Sequence, residues 1–281
     1  MHPRTTLLGL SLTLSVIAGC GPNRTHPVRM PWDADAAVPP LDCVPNLDGR
    51  IDSTELEPSI GTPVSFLVSP PGEERPVDLV GTPIDDGARR WDLGADYGSD
   101  RVATTVALDP SAAWYASEFP TADVAVATDP SGAIDALYRL DEAGFYLLGL
   151  ASHEMDPPEG RTLLPYATPI VLFQLPLEPG RQWISTADVS GTLRGIPYAG
   201  RDTYESRVPA MGELVLPDLT FTQAMRVATR VTISPTAGAP VVRQQSTFVF
   251  ECFGQVASVN ARDGDDVEDF TIAAEMRRFG L

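Results

Sequence analysis

Lysine is missing from this chain: all 20 of its basic residues are arginine. That absence removes Schiff-base chemistry, the phosphate-binding lysine of a P-loop and Ser-Lys dyads. Histidine is scarce too. His2 and His26 fall in the leader and linker described below, which leaves His153 for the folded part. A Ser-His-acid hydrolase would need that one imidazole as its base. On a strand, Ser152 points away from the face of His153, and no G-x-S-x-G elbow occurs. Pro157 stands where an H-E-x-x-H zinc motif needs its second histidine, so His153 reads as structural. Basic charge is in short supply as well. The 38 acids outweigh the arginines and give a net charge of −18, which repels nucleic acid and anionic headgroups. No nucleic acid partner is expected. Long apolar runs are also lacking, so no transmembrane helix is expected.

The apolar stretch that does exist lies at the start. Arg4 precedes the uncharged run Leu7 to Ala18, about a dozen residues, which has the length of a signal-peptide core and not of a membrane span. It ends in Ile17-Ala18-Gly19-Cys20. This order resembles the lipobox of bacterial lipoproteins. The resemblance implies cleavage before Cys20, acylation of its thiol with palmitate-type chains, and attachment to a membrane without a spanning helix. Gly21 follows the cysteine where an aspartate would imply retention at the inner membrane, so the resemblance points to the outer membrane. Residues 1–19 are then a signal peptide and residues 20–41, rich in proline and without periodicity, a lipidated tether. Residues 42–281 form one β-rich domain, opened by an Asp/Asn/Gly loop segment at 42–58.

With Cys20 lipidated, Cys43 and Cys252 remain as a pair. In an oxidising compartment such a pair bridges, although two buried free thiols are the alternative.

The body of the domain alternates turn residues with short runs of Val, Thr, Phe, Tyr and Leu at 64–68, 101–108, 123–127, 145–151 and 170–175. This spacing is that of antiparallel β structure. From Leu219 to Ile233 the odd positions are mostly apolar and the even positions mostly polar or small, a period of two. Phe248, Phe250, Cys252 and Val256 share a face in the next run, and Phe270, Ile272, Ala274 and Met276 in the last. We read long strands at 219–233, 241–261 and 270–278. Long strands twist and therefore curve, so the expected fold is mainly β: a curved antiparallel sheet, half-barrel or sandwich-like, with few short helices. The segments Leu177 to Trp183, Gly212 to Pro217, Phe221 and Ala224 to Val227 resemble a pattern in uncharacterised exported β-meander proteins and in half-barrel lipoproteins. That resemblance covers roughly the last 110 residues and implies an apolar concavity able to hold acyl chains.

Residues 44–55 resemble an EF-hand calcium loop. Gly49 takes the sharp-turn position, with Asn46, Asp48, the Arg50 carbonyl, Asp52 and Glu55 at ligand positions. Val44 stands where the first aspartate belongs, and prolines 39, 40 and 58 leave no room for flanking helices. The competing reading is an Asp-Gly turn leading into a short capped helix. The acidic run Asp263, Asp265, Asp266, Glu268 and Asp269 is a second cation candidate, though such runs are ordinarily solvated turns. Trp91, Trp114 and Trp183 suit sugar stacking or core packing equally.

We therefore expect a lipid-anchored envelope protein that binds a lipid, another ligand or an envelope protein, or serves a structural role. The alternative is an envelope hydrolase using a carboxylate pair, but nothing in the sequence selects two of the 38 acids.

Overall fold

The computed structural model describes residues 43–84 and 87–280, so the lipobox with Cys20, the leader and the tether lie outside the described residues. Strands follow in chain order as β1 (Pro63–Val68), β2 (Arg75–Pro76), β3 (Thr82–Pro83), β4 (Arg89–Asp92), β5 (Arg101–Val106), β6 (Val124–Ala127), β7 (Ile134–Asp141) and β8 (Gly144–Ser152). The second half holds β9 (Leu163–Gln174), β10 (Gln182–Leu193), β11 (Ile196–Val215), β12 (Thr220–Pro235), β13 (Val241–Phe250), β14 (Gly254–Asn260), β15 (Ile272–Ala273) and β16 (Glu275–Phe279). Helix is confined to short 3-10 turns such as Ser53–Glu55 and Pro110–Ala112.

One antiparallel path runs β5-β1-β16-β14-β13-β12-β11-β10-β9-β8-β7-β6. Its two ends meet where Leu108, just past β5, bridges Ala125 of β6 through paired backbone bonds of 2.9 Å. The sheet is thus curved almost into a closed barrel, which removes the unpaired edges an open sheet would expose. The expected mainly β fold is present, with closure carried further than a half-barrel.

β10 shows most plainly how sequence selects the two faces. Its exposure alternates along the strand, with Trp183, Ser185, Ala187 and Val189 buried and Gln182, Ile184, Thr186 and Asp188 outside. Residues paired across an antiparallel ladder share a face, so the inward set continues onto β11 as Asp202, Tyr204 and Ser206 and onto β12 as Thr229, Val231 and Ile233.

One end of the barrel is plugged. Ile51 and Leu56 from the N-terminal segment pack with Leu175, Leu177, Trp183, Val208, Met225, Val227 and Val249. Ile51 exchanges backbone bonds with Leu177 (3.0 and 2.8 Å), and Cys43 is disulfide-bonded to Cys252. The expected disulfide is therefore formed. Its setting differs from the expectation: Cys252 sits in a turn at φ +65°, and the run 241–261 is a hairpin of β13 and β14, not one strand.

The outer face is covered in two places. Val77, Leu79, Trp91 and Leu93 lie over β12, β13, β14 and β16, burying Trp91 edge-on against Phe248 at 5.2 Å. Here β11 leaves β10 at a register shift spanning Val208 and Pro209 and takes β4 as a parallel neighbour. Gly212 is required at that junction, because a Cβ would fall 1.8 Å from the Arg89 carbonyl oxygen. Elsewhere Tyr115 and Phe119 cover Leu137 and Leu148.

Candidate functional site in the barrel interior

Above the plug, the inner wall changes character. Leu147, Ile170, Ala187 and Val189 form an apolar surface, joined by Tyr138 on β7, Tyr166 on β9 and Tyr204 on β11. Tyr138 stacks on Phe145 at 5.0 Å. The Tyr166 hydroxyl donates to Asp202 Oδ2 at 2.7 Å. Asp202 is only 6 % exposed, and its Oδ1 has no protein donor. On the facing wall, Arg277 of β16 donates to Glu275 and to the carbonyl of Thr128, beyond the end of β6. Asn260 of β14 also presents a buried Oδ1 without a donor.

The electrostatics report how enclosed this region is. Burial pushes the Tyr138 hydroxyl up to about 12, aided by Tyr204 and opposed by Arg277. Burial likewise raises Tyr204 to about 12, with Asp202 adding to the shift. Tyr166 is raised further still by burial, then by Tyr204 and Asp202. Burial also lifts the Asp202 carboxyl, against the Tyr166 hydrogen bond that lowers it. Yet the side chains of all three tyrosines keep partial solvent-accessible surface. The three tyrosines and the buried Asp202 carboxylate thus gather on one stretch of the inner wall.

The other candidate residues take other places. Asn46, Asp48, Asp52 and Glu55 do converge, but on each other and on the backbone. Asp52 and Glu55 form a reciprocal capping box around Ser53–Glu55. Asn46 Nδ2 donates to Glu55 Oε1 at 2.7 Å, and the amides of Asp48 and Arg50 bond to Asn46 Oδ1 and Asp48 Oδ1. This is the capped-turn alternative, and among the described residues no group of three or more His, Cys, Asp or Glu side chains is placed to hold a metal. Burial raises the Glu55 carboxyl, assisted by nearby Glu251, whose own Oε2 accepts from the Leu47 amide. The sequence offered no reason to pair Glu55 with Glu251, and both are engaged in holding the N-terminal latch, residues 43–57, through Asn46, Asp52 and Leu47.

In the acidic run, Asp263 pairs with Arg243, Glu268 with Arg207 and Asp269 with Arg226. A groove of about 820 Å³ lies on the outer face between this loop and Ile184, Glu205, Arg230 and Gln244. Its charges neutralise one another, since Arg230 also pairs with Glu205 at 3.2 Å. His153 Nδ1 lies 2.9 Å from Asp135 Oδ2, which also accepts from Tyr115 at 2.8 Å. Ser152 is turned away, donating to the Glu154 carbonyl, so it is not placed as a nucleophile for the imidazole. Trp91 is core, Trp183 belongs to the plug and donates to the Val171 carbonyl, and Trp114 lies under Arg161.

No protein-family model, curated protein or solved structure matches this chain. No helix among the described residues is long and apolar enough to cross a membrane.

Proposed function

We propose that this chain is a lipid-anchored protein of the bacterial cell envelope that binds a small ligand inside its barrel and is not an enzyme. The observation that carries the binding reading is the inward-facing cluster of Tyr138, Tyr166 and Tyr204, each keeping some exposure, around an Asp202 carboxylate with one oxygen lacking a donor. A buried carboxylate oxygen without a donor costs about 1–3 kcal/mol, which a ligand bringing a donor would offset. Sites of this kind, apolar and aromatic with a few polar groups, are where small molecules bind.

The lipid anchor rests on Ile17-Ala18-Gly19-Cys20, and the disulfide between Cys43 and Cys252 suits an oxidising compartment. Gly21 favours the outer membrane. The ligand is a small molecule and not a pair of acyl chains, because the plug fills the lower part of the concave face. Labelling cells with radioactive palmitate tests the anchor: Cys20→Ser is expected to abolish incorporation, and labelling that persists refutes it. Screening the purified protein against small molecules by thermal shift tests the binding reading, which predicts stabilisation that is lost when Tyr204 is changed to Ala.

A further inference from the structure

We propose that the end of the barrel bearing Val44, Leu47 and Phe253 lies against a phospholipid surface of zwitterionic headgroups, with these three side chains reaching into its interface. The inference rests on the reading that Cys20 carries the lipid, and it says which face of the domain the anchor holds to the membrane.

The three residues belong to two loops that are bonded into one unit. Cys43 is disulfide-bonded to Cys252, the Leu47 amide donates to Glu251 Oε2 at 2.8 Å, and the Cys252 amide donates to the Glu55 carbonyl at 2.8 Å. Phe253 follows in the β13–β14 turn, held on one side by Phe221 at 5.5 Å and by Phe250 and Phe279, each at 5.9 Å. It nevertheless stays 49 % exposed, while Val44 is 65 % and Leu47 42 % exposed. Single exposed apolar residues are ordinary, but here three are gathered around one disulfide.

The place of this unit in the chain supplies its occupant. Cys43 follows Cys20 by 43 − 20 = 23 residues, a length that spans at most about 80 Å when fully extended. A lipid on Cys20 therefore keeps this end near the bilayer, and the raised effective concentration lets a contact too weak to act alone become occupied. Aromatic and aliphatic side chains are the groups that seat at the boundary of headgroups and acyl chains. The charges select the headgroup. Within residues 43–57, Glu55 is buried, and Asp48, Asp52 and Glu57 outnumber Arg50, so an anionic surface repels this end. The exposed pair Leu193 and Ile196 is the rival surface. It forms the tip of the β10–β11 hairpin, the full length of the 20-residue strand β11 away from the β11–β12 turn beside Phe221, and the chain from Cys20 does not enter there.

Fluorescence quenching of the lipidated protein on phosphatidylcholine vesicles tests this. An indole is introduced by Phe253→Trp, by Val44→Trp as a second probe of the same end, or by Ile196→Trp at the rival surface. Emission is read as the difference from the parent, on ordinary vesicles and on vesicles with brominated acyl chains, for variants whose circular dichroism matches the parent. The indoles of Phe253→Trp and Val44→Trp should lose most of their emission on brominated phosphatidylcholine and that of Ile196→Trp none. Brominated phosphatidylglycerol should quench the first two less; equal or greater quenching there overturns the zwitterionic preference. Protein that floats with the vesicles but shows no quenching at Phe253→Trp and Val44→Trp, or shows it at Ile196→Trp instead, overturns the inference and leaves the anchor standing. Protein that does not float with them overturns the anchor and the inference together.

Discussion

Reducing the Cys43–Cys252 bond is a perturbation whose size follows from the structure. The two cysteines are 209 residues apart in sequence. In the chain-entropy treatment, closing a loop of that length removes roughly 18 cal/mol/K from the unfolded chain, or roughly 5 kcal/mol at 25 °C. The latch it ties down has its own contacts: Ile51 fully buried, Leu56 nearly so, and the Cys252 amide bonded to the Glu55 carbonyl at 2.8 Å. These hold residues 43–57 in place after reduction, so the native state should stay folded at neutral pH and 25 °C. Urea unfolding followed by far-ultraviolet circular dichroism, with and without reductant, should show a loss of about 2–5 kcal/mol. The slope should steepen on reduction, because an uncrosslinked chain exposes more surface when unfolded. Cys43→Ser should reproduce the reduced curve. An unchanged midpoint would show that the latch adds nothing to global stability and would refute the reasoning.

Three further outcomes are expected. Burial raises the Asp202 carboxyl above its ordinary value. An acid raised by folding favours the neutral form in the native state, so stability is eroded as pH rises through that raised value. Asp202→Asn should therefore be more stable than the parent at pH 7 by about 1–3 kcal/mol, with the gap closing as pH falls below about 4; a gap independent of pH contradicts this. Asp100, 3 % exposed at its side chain, is held between buried Arg75 at 2.9 Å and buried Arg278. Asp100→Ala strands two guanidinium groups and should cost about 3–5 kcal/mol in urea unfolding; a loss below 1 kcal/mol would mean the arginines find other partners. Asp52→Ala removes the cap of the Ser53–Glu55 turn and should cost about 1 kcal/mol. Hydrogen exchange would place that loss at the latch, and a change spread over the barrel strands would contradict it.

Much of the sheet was legible where one face is wet and the other dry. The alternation at 219–233 matches β12, which runs Thr220–Pro235, with inner Val231 buried and outer Arg230 in solvent, although residues 224–228 are buried on both faces where the outer one is covered. The run 241–261 was misread as one strand because apolar Phe250, Cys252 and Phe253 mask the hairpin between them. The signal was Gly254, which with Cys252 takes a positive φ. β11, the longest strand, was not found at all. Its inner face carries Asp202, Tyr204 and Ser206, and Pro209 and Gly212 interrupt it, so its pattern resembles a loop. The candidate site was invisible for a different reason. Tyr138, Tyr166 and Tyr204 lie on three strands brought together only by curvature of the whole sheet, and no local spacing encodes that. The EF-hand-like spacing, by contrast, was a local pattern that the backbone uses for turns and a cap.

The most direct test of the account is native mass spectrometry of the protein gently extracted from the envelope that produces it. The account predicts a bare mass together with a species heavier by one small molecule, and the heavier species should disappear when the protein is denatured. Only the bare mass under both conditions, from protein that remains folded, would contradict a ligand-binding barrel.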